Sequence, residues 1–198
     1  MNRLLIMLKF KTVNTFTFLT FLFLVGVDLF VGLPWWLYFL LAILWLAVTT
    51  IGSFHIRWNY HLKSLNSNPS TQKNQVSLTF DDGPNPEFTP QFLVLLKKYN
   101  AKATFFCIGK NIKENPLLFQ DILAQGHTVD NHTYSHSNGF GFFPAEKVVG
   151  ELRQTNRLAK KISGLEMKLY RPAFGVTNPN IAKALQVTKL HSIGWNIR

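Results

Sequence analysis

Hydrophobic and polar positions divide the chain into two regimes. From residue 12 to residue 52 nearly every position is apolar and Asp28 is the sole charge, whereas beyond Lys73 charges recur every few residues. Spanning a bilayer takes about 20 apolar residues, so this run is too long for one span and for the short core of a signal peptide. Gly32 and Pro34 interrupt it, which predicts a transmembrane helical hairpin with spans over about residues 13–31 and 35–51. Trp35, Trp36 and Tyr38 at the break, and Trp58 and Tyr60 after the second span, suit the membrane–water interface. A charge in hydrocarbon is costly, so Asp28 is expected near the turn, within reach of water. Arg3, Lys9 and Lys11 precede the first span and Arg57 and Lys63 follow the second, which by the positive-inside rule puts both ends in the cytoplasm. A single tilted or re-entrant arrangement would instead leave the C-terminal part outside, and both orientations stand open.

The polar stretch over residues 65–73 has the composition of a linker, which places a domain boundary near residue 74. The expected organisation is a membrane anchor over 1–52, a linker over 53–74 and a folded domain over 75–198. In that domain strand and helix patterns alternate. Val76, Leu78 and Phe80 alternate with polar residues, and residues 103–108 form a short aromatic-rich apolar run. Phe92, Leu93, Leu95 and Leu96 recur at helical spacing, with Thr89 as the expected cap. Further helices are predicted after Asn115, over residues 145–162 and after Pro179, and further strands over 127–129, 168–170 and 191–195. Five strands alternating with four helices imply an α/β fold with parallel pairing, either an open doubly wound sheet or a barrel.

Composition adds less. The formal charge of +11 is spread along the chain and suits an anionic surface such as lipid headgroups. No basic stripe interleaved with aromatics and no reading module marks a nucleic-acid binder. Cys107 is the single cysteine, which excludes an internal disulfide and a thiolate metal cage.

Three polar clusters fall at predicted strand ends, where parallel α/β folds collect their functional groups. They are Asp81-Asp82-Gly83-Pro84, His132-Thr133-Tyr134-Ser135-His136, and Arg171-Pro172-Ala173-Phe174-Gly175. Alone, the first reads as a turn, the second as a solvated helix face, and the third as nothing in particular. Together they are harder to assign to turns and solubility. Histidines four apart would share one face of a helical turn, where both imidazoles reach one ion. A carboxylate completes three protein ligands and leaves positions open, as a catalytic metal site requires.

In this order the clusters resemble the first three motifs of the polysaccharide deacetylase family, also called carbohydrate esterase family 4 or the NodB-homology domain. The resemblance covers residues 76–198 and implies a distorted (β/α) barrel of the NodB-homology type, incomplete over this length. It further implies metal-dependent hydrolysis of N-acetyl or O-acetyl groups on a polysaccharide or oligosaccharide. By position, Asp82, His132 and His136 resemble the metal ligands, Asp81 the general base, and Arg171 the arginine that holds that base. The backbone N–H of Phe174 resembles the oxyanion donor. The implied step is attack of cation-activated water on the acetamide carbon, with Asp81 taking the proton. Zinc suits this donor set, and cobalt, nickel or iron also fit it.

Three small departures are Ala173 for a common proline, Phe174 for a tyrosine, and Asp130 where glycine is frequent. The family's fourth motif, an aspartate that orients the arginine, and its fifth, a histidine that protonates the leaving amine, are expected beyond Arg198. His127 and His191 lack the family's position for that acid. Three functional expectations follow: a multi-pass cell-membrane deacetylase, a non-catalytic metal- and sugar-binding membrane protein, or a deacetylase or deformylase of a lipid-linked sugar. Neither substrate identity nor oligomeric state can be read from the residues.

Overall fold

The computed structural model describes residues 8–68, 70–71 and 75–197. Arg3, Arg198 and the expected boundary near residue 74 lie outside the described residues. Two long helices come first, α1 over Phe10–Val31 and α2 over Trp36–Phe54, both long and apolar enough to cross a membrane. They run antiparallel. The Trp45 indole N–H donates to Asn14 Oδ1 at 2.8 Å, and the Phe21 and Tyr38 rings lie 6.0 Å apart nearer the turn. Gly32 ends α1 in the left-handed region (φ 73°), as a residue without Cβ does readily. Asp28 sits at this turn, accepting from the Leu33 N–H and from the Tyr38 hydroxyl, so its carboxylate is spent on capping the bend.

The remainder is a curled parallel sheet in the order β1-β6-β5-β4-β3-β2, flanked by helices. Its strands are β1 (Ser64–Leu65), β2 (Leu78–Gly83), β3 (Ala103–Cys107), β4 (Thr128–Asn131), β5 (Leu169–Tyr170) and β6 (His191–Ile193). The helices are α3 (Thr89–Lys98), α4 (Gly109–Glu114), α5 (Pro116–Ala124), α6 (Ala145–Ser163) and α7 (Pro179–Thr188). Two buried clusters lie along α6, one against its C-terminal half at Ala159 and the other against its N-terminal half at Val148 and Leu152. Leu93, Phe105, Ile112, Phe119, Ile122 and Val129 form one, and Phe140, Val148, Leu152, Tyr170, Ile181 and Leu190 form the other. Burial of these side chains is the main stabilising term, about 1.5–3 kcal/mol each for full burial.

Three local features differ from what spacing predicts. The segment read as linker supplies strand β1, whose Ser64 and Ser192 hydroxyls pair at 2.7 Å and whose Leu65 carbonyl accepts from the Gly194 N–H. Two residues carry no periodicity, so β1 left no signal. Helix α4 is likewise unanticipated, at 6 residues too short for a repeat. Thr89 lies inside α3 instead of capping it. Asn85 does the work there, accepting from the Glu87 and Phe88 N–H groups, while Thr89 Oγ1 accepts from the Asn85 N–H.

The hairpin is joined to the sheet domain by specific contacts. The Phe10 N–H donates to the Tyr60 carbonyl, Ser53 Oγ pairs with His61 Nε2 at 2.9 Å, and the Thr177 N–H donates to the Ser53 carbonyl at 2.9 Å. Burial beside Phe10 and Tyr60 pushes His61 down to about 4, so it is neutral at physiological pH. Gly52 lies against the Tyr60 ring, and a Cβ there would overlap it. Replacing Gly52 by Leu is therefore expected to loosen the junction, exposing residues 55–63 to limited proteolysis while leaving domain stability within about 1 kcal/mol. Unchanged protection of that segment would show that the junction does not depend on this contact.

Candidate metal centre

All the candidate residues lie at the C-terminal end of the parallel sheet, and the ladder itself places them. Hydrogen bonding continues one residue past the strands: the His132 N–H donates to the Cys107 carbonyl and the Arg171 N–H to the Asn131 carbonyl, each at 3.0 Å. The register therefore fixes where these side chains start. Asp81 and Asp82 fall within β2, at an irregularity in its pairing with β3, and Asp82 takes a positive φ of 66°. Asn111 Nδ2 on α4 donates to the Asp82 carbonyl at 2.7 Å and fixes the turned backbone.

Asp82, His132 and His136 offer one ligand atom each, all within 4.8 Å of one another. Asp82 Oδ1 is 3.3 Å from His132 Nε2 and 3.4 Å from His136 Nε2. His132 is buried, and its Nδ1–H donates to the Arg171 carbonyl at 2.8 Å, which leaves Nε2 as the free lone pair turned to the cluster. Burial first, and then the neighbouring His132, lower the pKa of His136, which favours the neutral imidazole that ligation requires.

The histidines do not share a helical turn. Residues 132–136 form an irregular loop in which Thr133 (φ 67°) and His136 (φ 45°) are left-handed. Such φ values are uncommon for residues other than glycine, so the surroundings must impose them. Asn131 Oδ1 accepts from the Thr133 N–H, while its Nδ2 reaches the Leu152 carbonyl and Asn156 Oδ1 on α6. Glu151 Oε2 accepts from the Tyr134 and Ser135 N–H groups and from the Ser135 hydroxyl. From the other side, the Gly109 and Lys110 N–H groups at the start of α4 donate to the Thr133 and Tyr134 carbonyls, each at 2.9 Å. Gly109 is required there because a Cβ would strike Tyr134 and the Thr155 hydroxyl.

Asp130 is buried one residue before this framework, and its Oδ1 accepts from the Lys168 and Leu169 N–H groups at 2.9 and 2.8 Å. Burial raises its pKa, and those two N–H groups oppose the rise. It ties the short β5 to β4, two strands that share one paired position. Asn131, Glu151 and Gly109 were not singled out for the site from sequence, and Asp130 was noted only as a departure from a frequent glycine. A polar residue at the end of an apolar strand, as at Asp130-Asn131, was the available signal.

Arg171 completes the centre from below. It is 3% exposed, lies with its guanidinium carbon 4.3 Å from the Phe106 ring centre, and donates from one terminal nitrogen to Asp81 Oδ1 at 2.9 Å and to Thr79 Oγ1 at 2.7 Å. The other terminal nitrogen donates to the Gly194 carbonyl at 3.0 Å, while the buried Nε has no partner among the described residues. Burial lowers its pKa and the Asp81 carboxylate opposes that, so the guanidinium stays charged. Phe174 is left-handed (φ 56°), and its half-exposed ring lies 4.5 Å from that of His136. His127 and His191 stand at the opposite, N-terminal ends of β4 and β6, away from the cluster.

Two imidazoles and a carboxylate at the open end of a parallel half-barrel could hold a divalent metal ion and leave positions open around it. The sequence profile described as "Polysaccharide deacetylase" matches residues 68–193. The chain belongs to the polysaccharide deacetylase family. It is 35% identical over 125 residues to a peptidoglycan-N-acetylglucosamine deacetylase of Bacillus cereus, covering 63% of this chain and 45% of that protein. It is 35% identical over 124 residues to a chitooligosaccharide deacetylase of Sinorhizobium fredii, covering 62% of this chain and 57% of that one. The solved peptidoglycan deacetylase PdaC of Bacillus subtilis superposes with a TM-score of 0.56 at 34% identity, covering 61% of this chain and 57% of that chain. A family 4 pseudoenzyme of Bacillus anthracis superposes with a TM-score of 0.57 at 28% identity, covering 62% and 43%. The chain spans about half the length of the curated relatives it matches.

The loop supports carry their own prediction. Replacing Glu151 by Ala is expected to lower divalent-cation affinity about 10–100-fold by isothermal titration, the usual effect of losing a group that orients ligands. Replacing Gly109 by Ala is expected to cost about 1–3 kcal/mol of stability by overpacking against Tyr134. Wild-type affinity in the Glu151 variant would show that the loop holds its shape without that carboxylate.

Proposed function

We propose that this chain is a membrane-anchored, metal-dependent hydrolase of the N-acetyl groups of a saccharide. The observation that carries the reading is the convergence of Asp82, His132 and His136 beside an Arg171-held carboxylate. In this proposal these three residues hold a divalent cation, zinc by the preference of an N/O donor set, with cobalt, nickel or iron as substitutes. Once bound, the cation would act as a Lewis acid that polarises the acetyl carbonyl and makes water a stronger nucleophile.

The remaining work falls to the chain's own groups. Asp81 accepts the proton of the attacking water, and its hydrogen-bonded contact with Arg171 keeps the carboxylate aimed. The Phe174 N–H donates to the developing oxyanion. The leaving amine needs a proton, and neither His127 nor His191 is placed to give one. In the family that acid is a histidine from a later motif. The Arg171 Nε, which has no partner among the described residues, is where a carboxylate of the fourth motif would bind. A non-catalytic reading, metal and sugar binding without turnover, is favoured by the structural likeness to a pseudoenzyme.

The proposed anchor is 1–52, crossing the bilayer twice as a hairpin, with 53–74 joining it to a domain over 75–198. Lys9, Lys11, Arg57 and Lys63 flank the spans on one side, which favours a cytoplasmic domain. Chelation is expected to abolish acetate release from N-acetylglucosamine oligomers, and zinc to restore it. Replacing Asp81 by Asn is expected to lower kcat about 10²–10⁴-fold while cation stoichiometry stays at one. Stoichiometric cation binding with no acetate release would establish the non-catalytic reading. Cys107 is buried, so a Ser70→Cys probe is specific, and its labelling only after membrane permeabilisation from outside is expected.

A further inference from the structure

A cleft of about 360 Å³ opens between the last turns of α2 and the loops that border the metal centre. Thr49, Thr50, Ser53 and Phe54 form its membrane side, and Phe142 and Phe174 are prominent on the domain side. Phe142 is 92% exposed and Phe54 67% exposed, an arrangement of aromatic surface that is costly in water and natural beside lipid. The hydrogen bond from the Thr177 N–H to the Ser53 carbonyl closes the cleft floor. Phe174 is shared between the two sites: it lines the cleft and packs its ring against His136. A molecule seated in the cleft therefore ends within one ring's width of the cation ligands.

From this geometry, and resting on the hydrolase reading above, we infer that the cleft seats the lipid-to-sugar junction of a membrane-embedded, neutral glycolipid whose N-acylated sugar reaches the metal centre. The walls match that junction in chemistry. The hydroxyl of Thr50 suits a glycosidic linkage, while those of Thr49 and Ser53 are held by Tyr60, His61 and the Thr49 carbonyl, and the phenyl groups suit the first carbons of an apolar chain. None of the lining residues is charged, so the cleft offers no cation to a phosphate linkage, which favours a neutral one. The cleft is also continuous with a spanning helix, so an anchored lipid enters it from the bilayer without leaving its own solvent.

The test uses the full chain, zinc-loaded and reconstituted in phosphatidylcholine vesicles. The probe is an N-acetylglucosaminyl diacylglycerol bearing a photoreactive diazirine near the linkage. The label is expected on residues 138–142 and 174–178. Replacing Thr50 by Trp, which fills the cleft from the α2 side, is expected to lower both labelling and acetate release from this lipid about tenfold, leaving release from soluble N-acetylglucosamine tetramer within about twofold. A Phe142→Ser variant, altered at an exposed position with little consequence for folding, is expected to weaken labelling in the same direction. Labelling confined to the lipid-facing sides of α1 and α2, equal loss of both activities, or stronger labelling by a diphosphate-linked analogue would overturn the inference. Labelling in the cleft without acetate release from either substrate would support the docking site and reject the hydrolase reading. Release from the tetramer without cleft labelling would do the reverse.

Discussion

The arrangement depends on Arg171, a single buried cation that speaks to both halves of the centre. Its carbonyl accepts from His132 Nδ1 and so decides which imidazole nitrogen faces the cluster, while its guanidinium holds Asp81. The aromatic faces of Phe106 and Trp195, 4.3 and 5.6 Å from the guanidinium carbon, make burial of that charge tolerable together with three accepting oxygens. Lysine could not replace it, since the work requires a planar fork reaching separate acceptors. Position follows from the sheet, because the Arg171 N–H extends the β4–β5 ladder by one bond. The geometry of the cation site is in this sense a consequence of strand register.

A second constraint lies in the loop that carries the histidines. Left-handed backbone at Thr133 and His136 persists only because Asn131, Glu151 and the start of α4 bind the loop's polar groups from two sides. These supports come from β4, α6 and α4, which the two buried clusters hold together. Core packing and ligand geometry are thereby linked, and loss of either would be felt in the other.

Much of this was legible in the residues themselves. The apolar run with its Gly32–Pro34 break gave both long helices, and the alternation after residue 76 gave the parallel α/β class. The Asp81-Asp82, His132/His136 and Arg171 clusters pointed to one centre because each stood at a strand end. What escaped has physical reasons. A two-residue strand such as β1 and a six-residue helix such as α4 are too short to show a period. Spacing suggested a helical turn for the histidines because it cannot register the loop's hydrogen bonds to Glu151, whose position on α6 reads as an ordinary exposed helix site. The contact of the hairpin with the domain, through Ser53, Tyr60 and Thr177, joins residues too far apart in the chain for any pattern to reveal.

The central claim is that Asp82, His132 and His136 converge on one divalent cation, with His132 presented through Nε2 by the Arg171 carbonyl. X-ray absorption at the zinc edge of the loaded protein reads that coordination directly. The account predicts two imidazole nitrogens at about 2.0–2.1 Å and one carboxylate oxygen at about 2.0–2.2 Å, with the rest of the shell open to solvent. A shell with fewer than two imidazoles, or one unchanged when His132 is replaced by Ala, would contradict it.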